Sequence, residues 1–134
     1  MAKSYFNSRA HLRLNFADGV PAELMLVNKE GEPLTRSKAT VKLLNVSQNG
    51  LSFTSDLQLP VDPHYFVEFR MQLSRDQIIV RGQIVWCKLN QNRYVHGVKF
   101  VCSNTLRSFI VGSMNQILLE RQPQIKTIHA MYSR

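Results

Sequence analysis

The sequence predicts a mainly β domain: about six short antiparallel strands followed by one C-terminal helix. Three observations carry this. Apolar and polar residues alternate with period two through most of residues 22–102, and turn-forming residues separate the runs. No helical pattern falls between the strands, so they must pair as antiparallel neighbours in a barrel or sandwich. After Cys102 the apolar spacing changes to three and four residues, which is the period of an amphipathic helix.

The elements follow in order. Residues 22–28 form a strand that runs into the turn Lys29-Glu30-Gly31-Glu32-Pro33. Residues 39–46 form a second, with Val41 and Leu43 on one face and Lys42 on the other. Asn49-Gly50 reads as a hairpin turn because both residues tolerate positive φ. Leu51–Ser55 alternates directly after it, and Pro60-Val61-Asp62-Pro63 makes the next turn. Tyr65, Val67, Phe69, Met71 and Leu73 alternate with Glu68, Arg70 and Gln72, as in a half-buried strand. Residues 77–89 are a long run, Leu89–Arg93 a polar turn, and Tyr94–Cys102 the last strand. Leu106, Phe109, Ile110, Met114 and Ile117 define the helix stripe. Ser103 or Asn104 caps its start, and Gln122-Pro123 stops it.

The chain has 134 residues, enough for one core. We expect an N-terminal arm over 1–16, a body over 17–121 and a tail over 122–134. The arm is expected to be flexible, being polar, basic and short of apolar anchors. The longest strongly apolar runs, such as Leu24–Val27 and Ile84–Cys87, are four residues, against the roughly 20 of a membrane-spanning helix. The first residues lack the apolar stretch of a secretory signal, so a cytoplasmic location is expected. Formal net charge is +8. Residues 1–16 carry Lys3, Arg9 and Arg13 with no acid, and residues 77–116 carry Arg81, Lys88, Arg93, Lys99 and Arg107 with none. Such a field favours an anionic partner.

Enzyme signatures are missing: no GxSxG, HExxH, GxGxxG or GxxxxGK[ST] occurs. A protein without catalysis, cofactor or metal is expected. His11, His64, His96 and His129 make no metal-ligand spacing, and each reads as a surface or strand residue. Cys87 and Cys102 sit in apolar runs without a CxxC partner and read as buried, inert thiols. Glu23, Glu30, Glu32 and Glu68 read as solvated surface. Trp86 continues an apolar run and reads as core, with a stacking face for a base as the lesser alternative.

Two stretches offer more. In Arg9-Ala10-His11-Leu12-Arg13, a spacing of four puts two guanidinium groups on one side. Their forks match phosphate oxygens and the O6/N7 edge of guanine. In Asn45-Val46-Ser47-Gln48-Asn49-Gly50, an extended chain points Asn45 and Ser47 the same way, about 6–7 Å apart. They then offer an amide and a hydroxyl to one ligand, or bond their own backbone as in an ordinary hairpin. Gly50 permits close backbone approach.

An RxxxR followed by [D/N]xSxxG resembles the PilZ domain family. Val80–Trp86 resembles that family's VxGxVVW strand, and Tyr94–Phe100 its YxxGVxF strand. The resemblance covers roughly residues 8–121. It implies a six-stranded antiparallel β-barrel with a C-terminal α-helix, and a non-catalytic receptor for the bacterial second messenger cyclic di-GMP. By position, Arg9 and Arg13 would grip guanine edges and phosphates. Asn45 and Ser47 would hydrogen-bond a guanine, and Gly50 would let the strand approach the ligand. The sequence departs from the pattern in two places: Asn45 stands where an acid is often found, and Ser8 where some members carry another arginine.

The expected mechanism is a switch. Binding would order the arm and present a new surface to a protein effector, as in control of motility, biofilm or exopolysaccharide. Exposed strand edges or the helix could support a homodimer. Two alternatives stand beside it: a PilZ-like protein-interaction adaptor that binds no nucleotide, and a basic β-barrel that binds single-stranded nucleic acid.

Overall fold

On an extended chain, apolar side chains at every second position all point to one face, and that face needs a partner. A computed structural model, which describes residues 12–121, shows the six faces meeting each other. The strands are β1 (Arg13–Val27), β2 (Ala39–Ser47), β3 (Gly50–Ser55), β4 (Phe66–Leu73), β5 (Asp76–Asn90) and β6 (Arg93–Phe100). All pairs are antiparallel, and the order β1-β2-β3-β6-β5-β4 closes into a barrel where β4 meets β1. One helix, α1 (Asn104–Arg121), follows. Closure leaves no sheet edge to cover, and the inward faces make one core from Leu14 on β1 to Phe100 on β6. At its centre Phe53 and Phe69 meet edge to face, with ring centroids 5.3 Å apart.

Two elements differ from the expectation. First, β1 begins at Arg13, so residues 13–16 belong to the barrel wall rather than to an arm. Leu14 and Phe16 are buried and anchor it. The strand continues through Asp18-Gly19-Val20-Pro21 by an irregularity: Asn15 pairs with Asn45, and Val20 already with Leu43. Second, Asn49 and Gly50 do not adopt positive φ. The positive-φ pair of non-glycine residues is Gln91 and Asn92, in the turn between β5 and β6.

α1 lies across the end of the barrel where β1 starts. Ser103 caps it, its hydroxyl accepting from the Leu106 amide at 3.1 Å. Ile110 and Met114 are buried in the core, and Ser113 donates to Asp76 Oδ2 at 2.6 Å. At the last turn, Arg121 Nη1 donates to the Asn15 carbonyl at 2.8 Å, and the guanidinium lies over the Phe16 ring. Phe109, counted in the buried stripe from its spacing, is instead exposed. Glu68 is likewise no solvated residue: its side chain is 17% exposed and pairs with Arg81 at 3.3 Å. Both cysteines are free thiols and partly exposed rather than fully buried.

His96 is completely buried and stacks on Phe53. Its Nε2 accepts the Leu59 amide at 3.1 Å, which requires that nitrogen to be unprotonated. Burial pushes its pKa below the ordinary 6.5. The unfolded chain therefore takes up a proton near pH 6.5 that the folded chain refuses. The stability this contributes is complete above pH 6.5 and is lost as pH falls through the window below it. Thermal unfolding followed by circular dichroism should show Tm level above that pH and declining beneath it. His96→Gln, which keeps an acceptor but cannot titrate, should flatten the first part of that decline.

Candidate functional site

On the outer wall formed by β2, β3, β6 and β5 lies an open depression of about 480 Å³. Arg13 stands at one side, where β1 starts. Asn45, Ser47 and Gly50 come from the β2–β3 hairpin, Trp86 and Lys88 from β5, and Gly97 and Lys99 from β6. Four of the five site residues named from the sequence therefore meet at one place. The fifth, Arg9, lies outside the described residues.

The outward aim of these side chains has a local cause. In β2, Val41 and Leu43 point inward, so strict alternation would also send Asn45 into the core. A register shift between Leu43 and Asn45 in the pairing with β3 inverts the phase. Val46 then points in, and Asn45 and Ser47 are left partly exposed on the outer wall. A second shift, between Ile84 and Trp86 in the pairing of β5 with β6, has the same effect on β5. Trp86 is 42% exposed, not part of the core that its apolar neighbours suggested.

The indole is supported from beneath. Trp86 pairs across with Gly97, and a Cβ on Gly97 would lie 2.0 Å from the indole Nε1. Glycine is the residue that lets the ring lie flat against β6. Lys88 Nζ stands 5.6 Å from the ring centroid. The result is an aromatic plate beside ammonium groups on the protein surface. Gly50 has a different role, because a Cβ there would lie 2.0 Å from the Val98 carbonyl oxygen; it serves the close approach of β3 to β6.

The polar groups are partly committed. Ser47 Oγ donates to the Gly50 carbonyl at 3.2 Å and accepts from the Asn49 amide at 3.4 Å. One lone pair of the hydroxyl remains, so toward a ligand Ser47 is an acceptor. The Asn45 amide makes no hydrogen bond among the described residues and keeps both donor and acceptor. Arg13, Lys88 and Lys99 bring three cations, and no Asp or Glu lines the depression. Arg81 and Arg93, by contrast, face Glu68 and Asp56. Of the acid-free stretch 77–116, then, Lys88 and Lys99 serve the site. Among the described residues no cluster of three metal-ligating side chains occurs, and no helix is long and apolar enough to cross a membrane.

The PilZ domain family model matches residues 7–112, most of the chain. The chain belongs to the PilZ domain family. Several solved structures share the fold. The PilZ domain of YcgR from Escherichia coli, in a structure with c-di-GMP, is 13% identical with a TM-score of 0.55; the match covers 84% of this chain and 95% of that one. MrkH of K. pneumonia in its apo state is 11% identical with a TM-score of 0.60, over 84% of this chain and 52% of that one. This chain thus spans about half the length of MrkH. The PilZ domain of CeSA from a cellulose-synthesizing bacterium is 14% identical with a TM-score of 0.50, over 83% and 98%. No curated protein sequence matches the chain.

Lys88, Gly97 and Lys99 were not named as site residues from the sequence, and Trp86 only as a lesser alternative, a stacking face. The signal that could have found Trp86 and Lys88 is the break in apolar phase after Ile84, which marks a bulge. Two glycine substitutions test the geometry. Gly50→Ala meets backbone that cannot yield and should destabilise the domain by about 2 kcal/mol in chemical denaturation. Gly97→Ala meets a side chain that can swing away, so it should cost less. It should also change the emission of Trp86, the single tryptophan.

Proposed function

We propose that this PilZ domain is a non-catalytic receptor for cyclic di-GMP, held in the depression on the β2–β3–β6–β5 wall. The observation that supports it best is the meeting of Arg13, Asn45 and Ser47 with the exposed Trp86 in one acid-free hollow. The ligand carries two guanines and two phosphates. It needs cationic forks for phosphate oxygens and guanine edges, hydrogen-bonding groups for those edges, and a flat apolar surface for a purine face.

In this reading a guanine lies over Trp86, whose ring is already oriented by Gly97. The lone pair of Ser47 accepts from a guanine N–H, and Asn45 reads a second position on the edge. Arg13 grips a phosphate or the O6/N7 edge, and Lys88 and Lys99 neutralise the remaining charge. Arg9, four residues before Arg13, closes from the other side. The leading segment that carries Arg9 becomes ordered as it closes over the ligand, which costs free energy that the charge-assisted contacts offset. The newly ordered segment then serves as the docking surface for a protein effector in the cytoplasm. The pull on β1 also reaches α1, because Arg121 holds the carbonyl of Asn15, two residues beyond Arg13.

Calorimetric titration with cyclic di-GMP tests this. Arg13→Ala should weaken binding roughly 5- to 150-fold, the equivalent of one lost bidentate contact. Trp86→Ala should weaken it to a similar extent, and Trp86→Phe less. Cyclic di-GMP should quench Trp86 emission and raise Tm where GMP does not. Affinity should fall as salt rises. Equal affinity in wild type and Arg13→Ala would remove the assigned role, and a preference for single-stranded RNA over the dinucleotide would favour a general nucleic-acid binder.

A further inference from the structure

Among the described residues, no helix lies over the end of the barrel away from α1. Between the loop joining β1 to β2 and the loop joining β3 to β4 lies a second cavity, of about 320 Å³. Its walls are apolar: Leu24 and Leu26 from β1, Val41 from β2, and Leu57 and Leu59 from the second loop. Its rim is basic, with Arg36 and Lys38 side by side on the first loop. Lys38 faces Glu23 at 3.5 Å. Arg36 makes no salt bridge among the described residues.

Both loops are braced, so the cavity is formed in advance. On one side the Leu34 amide donates to the Leu26 carbonyl at 2.8 Å, and the Thr35 hydroxyl donates to the Ser37 carbonyl at 3.2 Å. On the other, the Leu57 amide donates to Ser55 Oγ at 3.0 Å, the Leu59 amide to His96 Nε2 at 3.1 Å, and the Tyr65 hydroxyl to the Pro60 carbonyl at 2.6 Å. A preformed apolar cavity loses little ordering entropy on binding.

We infer that this cavity is a ligand site distinct from the dinucleotide depression, and that its ligand is a short aliphatic chain ending in a carboxylate. The apolar walls take the chain, and the Arg36 guanidinium takes the carboxylate at the rim, where a fork suits two oxygens. The volume, at the low end of small-molecule sites, suits one short chain. A cation finds no counter-charge, because no Asp or Glu lines the cavity, and the hydroxyls of Thr35, Ser37 and Ser55 are its only uncharged polar side chains.

The probe is octanoate, with octan-1-ol and octylamine as matched controls, followed by 15N amide shifts of the full chain. Octanoate should give saturable shifts at Leu24, Leu26, residues 35–39 and 57–59, and bind roughly three- to fivefold more tightly than octan-1-ol. Octylamine should bind least. Arg36→Ala should bring octanoate down to the level of octan-1-ol. Leu57→Glu, at a residue 62% exposed and so harmless to folding, should abolish binding of both. Arg13→Ala should leave octanoate binding unchanged. Equal affinity for octanoate and octylamine, an Arg36→Ala variant that binds octanoate like wild type, or shifts confined to the Trp86 wall would each overturn the assignment.

Discussion

The site depends on two places where a strand changes phase without disturbing the core. Along β2 the inward residues are Val41, Leu43 and then Val46, and along β5 the inward alternation ends at Ile84. Each slip inserts a residue, so the side chains beyond it are turned to the opposite face. Asn45, Ser47 and Trp86 would otherwise point into the core. There an unpaired amide and hydroxyl would be costly and the indole would not fit. The same slips free the outer wall for polar and aromatic groups. Core and site are thus two consequences of one feature of strand pairing.

The wall is shaped by what is missing as much as by what is present. Gly97 leaves room for an indole to lie flat, and Gly50 lets β3 come close to β6. No acid lines the depression, and two acids elsewhere on the barrel are paired with arginines: Glu68 with Arg81 and Asp56 with Arg93. The depression therefore keeps Arg13, Lys88 and Lys99 without a competing carboxylate. An anion entering it meets an attractive field and a surface already organised, with little rearrangement required.

The two ends of the barrel are treated differently. At the end where β1 starts, α1 fills the opening with Ile110 and Met114, and Arg121 ties the helix to the backbone of Asn15. That tie lies two residues from Arg13, so the start of β1 and the last turn of the helix are joined directly. At the other end the opening is lined by leucines and held by the hydrogen bond between Leu59 and a neutral His96. Protonating that ring would turn an acceptor into a donor against an amide donor, which is why the burial of His96 and the integrity of this end are linked.

From the residues alone, the number of strands, their antiparallel pairing, the helix and a cap at Ser103 or Asn104 could be read, because alternation and spacing are properties of the local chain. The RxxxR and NxSxxG pattern pointed to Arg13, Asn45, Ser47 and Gly50 for the same reason. What the local chain does not carry is direction. Which face a strand residue occupies after a bulge is set by its register with a neighbour far away in sequence, and Trp86 accordingly went outward against its apolar setting. The second half of the site, Trp86 with Lys88 on β5 and Gly97 with Lys99 on β6, came into being when those strands paired beside the β2–β3 hairpin. Closure of the ring decided that, since it brings together residues some forty positions apart.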